Sequence, residues 1–238
     1  MIRKKIENSW DIDFITCEDF FNHVDDTLNK MYDKQVIKNL KQFNKSIIDP
    51  TKMIFDAFTN NFDSKELIEV EINRQVDKSI NNDIGYFHQN LFNYIEGWLV
   101  PKKGFDIENH EKSIYAEMKN KHNTMNSSSS QKTYIKLQQK LLEDSNATCY
   151  LVEIIAKKSQ DTNWKCKVDG TNYNHDKIRR ISIDKFYELA TNDKYAFKKI
   201  CEWLPIVIYS LNQEKNVENA SKNILQELQE NYDNQFID

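Results

Sequence analysis

The run Thr148-Cys-Tyr-Leu-Val-Glu-Ile-Ile-Ala156 is apolar throughout except at Glu153. A strand with one face in water alternates polar with apolar residues, so an unbroken run predicts a central strand covered on both faces. Something must do the covering. With only 4 Gly and 3 Pro in 238 residues, the chain lacks the punctuation of a turn-rich β-sandwich and favours long helices around a modest sheet. The expected class is α/β: a mixed central sheet flanked by helices, with a helical N-terminal region.

A second strand carries polar chemistry. Ser113-Ile-Tyr-Ala-Glu-Met-Lys119 alternates with period two, which puts Tyr115, Glu117 and Lys119 on one face. Ile114, Ala116 and Met118 take the other face, toward a core. Upstream, Pro101-Lys-Lys-Gly104 turns the chain into a first strand, Phe105-Asp106-Ile107, joined by a hairpin to residues 113–121. Asp106, Glu117 and Lys119 would then share a polar face suited to a hard divalent cation and a phosphate. Magnesium accepts oxygen ligands and keeps several waters, so one or two carboxylates suffice to hold it. Asp106 and Glu117 are the expected ligands, with the Met118 backbone carbonyl as a third and Lys119 beside a reacting phosphate. That is the outline of a metal-dependent nuclease.

Around these strands the periodicity predicts helices. Phe20, Phe21, Val24, Leu28 and Met31 form one stripe, and Val36, Ile37, Leu40, Phe43 and Ile47 another. Asp49-Pro50 breaks the pattern before helices at 51–60, 64–80 and 84–98. Ser129 or Ser130 would cap a helix at 131–143. Shorter strands are expected at 164–168 and 178–183, then a helix capped by Asp184 and another over 197–211 with Pro205 inside it. The tail from 213 reads as an acidic amphipathic helix with a frayed end. The expected organisation is an N-terminal helical region 1–82 packed on a core 83–212, with a C-terminal tail 213–238, as one compact domain.

Net charge is −4, but its distribution is uneven. Residues 101–200 hold 19 Lys and Arg against 13 Asp and Glu, a net of +6 around the motif. A local positive field attracts a polyanion whatever the total charge. Cys17, Cys149, Cys166 and Cys201 show no C-x-x-C pair or zinc spacing. Cys149 and Cys166 read as small buried hydrophobes. No signal-peptide pattern or apolar run of membrane-spanning length is present, so a reducing cytoplasm and no membrane partner are expected.

Pro101-x-x-Gly-Phe-Asp106 with Ala-Glu-Met-Lys119 resembles the PD-(D/E)xK nucleases, with Pro and Asp separated here rather than adjacent. More particular blocks are Glu117-Met-Lys-Asn-Lys-His-Asn-Thr-Met-Asn-Ser-Ser-Ser, the Gln131-Lys-Thr-Tyr helix start and Cys149-Tyr-Leu-Val-Glu-Ile-Ile-Ala-Lys-Lys. With Ile178-Arg-Arg-Ile-Ser-Ile-Asp-Lys-Phe, they are similar to the type II restriction endonucleases that cut GGNCC, over about residues 84–205. The resemblance implies a restriction-endonuclease-like fold, Mg²⁺ dependence, a homodimer and double-strand cleavage leaving 5′ phosphates. Asp106, Glu117 and Lys119 match the family's acid, acid and lysine. Related nucleases often place a helix glutamate beside the metal, which makes Glu96 a candidate extra ligand.

Contacts to double-stranded DNA would come from the strand end and the loop after it: Lys121, His122, Asn123, Asn126 and Ser127, Ser128, Ser129 and Ser130. Gln131 and Lys132, near a helix N-terminus, suit a phosphate. Guanine is read through the major groove by Arg or Lys, and two of the four arginines are adjacent, at Arg179 and Arg180. Two other readings fit the same residues: a repair or junction-resolving nuclease of the same superfamily, or a DNA-binding protein without catalysis.

Overall fold

The structure, a computed structural model, describes residues 2–34, 48–122 and 125–214. The stripe from Val36 to Ile47, the loop residue Asn123 and the tail beyond Glu214 lie outside the described residues. Two compact units emerge, one of the described residues up to Asp25 and from Phe87 onward, the other of those between Asp26 and Tyr86. The helices are α1 (Ile2–Ser9), α2 (Cys17–Lys34), α3 (Pro50–Asn60), α4 (Ser64–Leu91), α5 (Ser127–Glu143), α6 (Ile183–Thr191) and α7 (Ala196–Glu214). The strands are β1 (Ile107–Asn109), β2 (Ile114–Lys121), β3 (Thr148–Ile155), β4 (Asp161–Asn163), β5 (Cys166–Val168), β6 (Thr171–Tyr173) and β7 (Ile178–Ser182).

In the smaller unit, Asp49-Pro50 is the start of α3. Asp49 accepts the backbone N–H groups of Thr51 at 2.9 Å and Lys52 at 3.2 Å, and Pro50 takes the first helical position. Proline is tolerated there because its missing N–H would have had no helical partner. Lys34 meets Asp83 at 2.5 Å.

The larger unit contains the sheet, in order β1-β2-β3-β7-β4. The three inner strands are parallel; β1 and β4 close the two edges antiparallel. Register pairs Tyr115 with Cys149 and Ile178, Glu117 with Leu151 and Arg180, and Lys119 with Glu153 and Ser182. These residues therefore share one face. Tyr134 and Leu137 of α5 cover part of it, joining Tyr115, Cys149, Leu151 and Ile178 in one core. On the other face, Phe186 of α6 packs on Tyr150, with ring centroids 5.7 Å apart. Below it, Phe92 stacks on Tyr187 at 4.7 Å. Burying side chains of this size stabilises the fold by about 1.5–3 kcal/mol each.

The central strand is as expected, and six expectations need correction. The face of Tyr115 and Glu117 is not a solvated one: both are buried, because α5 lies over it, and it opens only from Lys119 onward. Asp106 precedes β1 rather than starting it. The helices expected at 64–80 and 84–98 are one, and that helix stops at Leu91. Gly85, which costs a helix about 1 kcal/mol, sits within it with open space around its α-carbon. After a 3-10 turn, Phe92–Tyr94, the Asn93 side chain accepts the Val100 N–H at 3.1 Å, and Gly97 turns the chain at φ +79°.

Helix α5 begins four residues early, capped by Asn126 rather than a serine; the Asn126 side chain accepts the Ser129 N–H at 2.8 Å. Likewise Ser182, not Asp184, stands at the cap position of α6; Asp184 lies in its first turn and accepts the Ser159 hydroxyl at 2.5 Å. Residues 164–168 contribute only β5, which pairs with β6 in a separate two-stranded sheet.

Candidate active site

The site forms where β1 stops beside β2. Register carried past Ile107–Ala116 would bring residue 105 opposite Met118, but β1 has ended. The Asp106 side chain fills that slot, accepting the Met118 N–H at 2.8 Å. In an antiparallel pair a residue's N–H and C=O point to the same neighbour, so the Met118 carbonyl lies on the same open edge of β2. From α4, the Gln89 side chain donates to the Asp106 carbonyl at 2.9 Å and holds the turn. Gly104 adopts φ +105°, and a β-carbon there would come within 3.1 Å of Glu108.

Glu117 is only 8% exposed. Burial pushes its carboxyl above the ordinary range and the nearby Asp106 charge adds to this, against the hydrogen bond and charge of Lys136 and the charge of Lys119. Lys119 Nζ stands 3.8 Å from Glu117 Oε2. Sequence reasoning brings Asp106, Glu117 and Lys119 together, and the structure does so. It misses Lys136, which reaches from α5 to pair with Glu117 Oε1 and donates to the Gly104 carbonyl at 2.7 Å. A signal existed: Lys132, Lys136 and Lys140 recur every four residues, one helical turn apart.

The oxygens of Asp106, Glu117 and the Met118 carbonyl are all hard donors. Among the described residues, no group of three His, Cys, Asp or Glu side chains is placed to hold a metal. Two carboxylates with a backbone carbonyl suit Mg²⁺, which keeps waters of its own, better than a cation needing a full protein cage. The site thus fits a magnesium ion.

The Eco47II restriction endonuclease family model matches residues 12–213. Type II restriction enzyme Sau96I of Staphylococcus aureus is 31% identical over 221 residues, 88% of this chain and 84% of its own. Type II restriction enzyme Eco47II of Escherichia coli is 32% identical over 217 residues, 86% of this chain and 89% of its own. The chain belongs to the Eco47II restriction endonuclease family. No solved structure is a significant match.

As an Eco47II-family enzyme the protein is a type II site-specific deoxyribonuclease, and its substrate is DNA. Beside the carboxylates, on the same sheet face, Glu153 is 1% exposed and receives Arg180 Nη2 on Oε1. His122 Nδ1 lies 2.9 Å from Glu153 Oε2 and 2.9 Å from Arg180 Nη2, so its tautomer decides which bond it makes. Lys121 ends β2 in an exposed position next to this group.

The other expected DNA contacts of this family member are placed apart. Arg179 points to the opposite face, where it bonds Asp161 at 2.7 Å and Asn163 at 3.0 Å and ties β7 to β4. Asn126 is occupied as a cap, and Ser127, Ser128 and Ser129 form the exposed first turn of α5. Ser130 faces Cys166, 3.6 Å away. Gln131 and Lys132 fall in the second turn, not at the N-terminus, and Lys132 is exposed. Glu96 lies in an exposed turn beyond the end of α4.

No helix among the described residues is long and apolar enough to cross a membrane.

Proposed function

We propose that this endonuclease makes Mg²⁺-dependent double-strand cuts at a short palindromic site, GGNCC, leaving 5′-phosphate ends. The observation that carries the reading is two carboxylates, Asp106 and Glu117, close enough to repel each other's charge, with Lys119 alongside. Asp106, Glu117 and the Met118 carbonyl would hold the ion. When bound, Mg²⁺ supplies charge stabilisation on the phosphate and a nucleophilic water at neutral pH. Lys119 orients that water and steadies the scissile phosphate with a compact charge. The buried floor under Glu117 keeps bulk water away and strengthens each of these interactions.

The choice of GGNCC rests on the blocks 117–129 and 149–158, which are similar to the GGNCC-cutting enzymes. Residues 83–212 form the nuclease core in this reading. Lys121, His122 and Arg180 lie beside the carboxylates on the same end of the sheet and are its DNA contacts. A two-fold symmetric target calls for two copies of the protein, one per strand. The enzyme acts in the cytoplasm, where its DNA is.

Digestion of a sequenced plasmid with Mg²⁺, followed by sequencing of the ends, tests the proposal. Discrete fragments ending at GGNCC are expected, and none from Lys119→Ala protein that still binds the duplex. Smears, cuts at branched DNA only, or unchanged cutting by the Lys119→Ala enzyme would refute it.

A further inference from the structure

Lys136 takes no part in the expected acid–acid–lysine set, yet it makes the closest contact to Glu117. Its ammonium pairs with Oε1, donates to the Gly104 carbonyl at 2.7 Å and stands 4.6 Å from the centre of the Phe105 ring. It thereby joins three segments: α5, β2 and the turn that delivers Asp106. Lys119, at 3.8 Å, is beyond hydrogen-bond reach of the same carboxylate. We propose that Lys136 is a positioning residue that holds Glu117 in place of a divalent cation and must yield its oxygen when the cation binds. This rests on the reading of the site as a metal centre.

Charge balance supports it. Asp106 and Glu117 carry two negative charges; Lys119 and Lys136 carry two positive ones. The cluster is therefore neutral by itself, and a divalent cation would leave it with an excess of two. Glu117 cannot offer the same lone pairs to an ammonium and to a metal at once. Lys136 is the group able to leave. Its side chain is 38% exposed and keeps a second acceptor in the Gly104 carbonyl. Bound, it satisfies a buried carboxylate that would otherwise be costly to leave unpaired.

Calorimetric titration with Ca²⁺, on the full chain without DNA in mildly alkaline buffer, reads the competition directly. Lys136→Met keeps an unbranched chain over Phe105 and removes the charge; Lys136→Gln repeats the test should that protein not fold. Either neutral variant should bind Ca²⁺ at least about fivefold more tightly than wild type, the lower end of an ordinary coupling between two binding events. Lys136→Arg, which keeps a cation, should stay as weak as wild type. The neutral variants should also melt at lower temperature without metal, with the gap closing at saturating Ca²⁺. Unchanged or weaker binding by a folded neutral variant overturns the inference alone. Wild-type protein that takes up no Ca²⁺, or Asp106→Asn protein that takes up as much as wild type, overturns the metal-centre reading and this inference with it.

Discussion

Replacing Glu153 by alanine should destabilise the sheet well beyond the loss of a surface ion pair. Its carboxylate is 1% exposed, and both oxygens are engaged by Arg180 and His122. Removing one partner of a buried pair costs about 3–5 kcal/mol, because the other charge is left behind. Here the groups left behind, His122 at 16% and Arg180 at 21% side-chain exposure, can recruit water. The expected cost therefore falls to about 2–3 kcal/mol, which for a chain of this length lowers the melting temperature by about 4–12 °C. Arg180→Met should cost more than Glu153→Ala, since the deeper partner is then the one abandoned. The double variant Glu153→Leu/Arg180→Met should be more stable than the sum of the single changes by about 1 kcal/mol or more. Thermal unfolding followed by tryptophan fluorescence reads the right unit, because Trp10, Trp98, Trp164 and Trp203 all belong to it. A melting temperature unchanged in Glu153→Ala, or strictly additive effects, would refute the reasoning.

Three further outcomes are expected. Although His88 is a partly exposed residue, burial of its ring and the nearby His23 lower its pKa to about 4, so it folds neutral. Its contribution is complete above the unfolded value of 6.5 and is lost as pH falls toward 4, by up to about 2 kcal/mol once partial exposure is allowed for. Urea unfolding across that window should show wild type losing stability relative to His88→Gln as pH falls. Burial pushes the Cys149 thiol up to about 12, so iodoacetamide should spare it in the native protein and modify the more accessible Cys201 first, as read by peptide mass spectrometry. Asn126→Ala should cost about 1 kcal/mol of stability through the lost cap, while Asn126→Asp should not; weaker DNA binding at unchanged stability would give Asn126 a role on the duplex instead.

The central strand and the E-x-K strand were legible because burial on both faces and period two leave direct marks in residue order. The small strands β4 and β6 were not. Each is three residues long and mostly exposed, so neither apolar periodicity nor length distinguishes it from a loop. The expected split of the 28-residue α4 falls at residues 81–85, where Asn81-Asn82-Asp83 and Gly85 are poor helix formers. The packing of Phe87 and Leu91 overrides that local preference. Glu117 and Lys119 follow from the period-two alternation of β2, whereas Asp106 lies in the turn before β1 and is picked out by its spacing and by the family resemblance. Lys136 follows from none of these, since it sits in a helix 19 positions from Glu117 and meets it only through the sheet-to-helix packing.

On the proposed reading of the site, the single bond from Met118 to Asp106 makes the end of a strand and the creation of a reaction centre one and the same event. An aspartate here would then be both a reagent and a structural stopper. Truncating it to alanine would orphan a main-chain donor in the middle of the fold and weaken the protein while disabling it, so that a dead enzyme would say little about chemistry. Asparagine retains an acceptor for that donor, and is the substitution that separates the two duties.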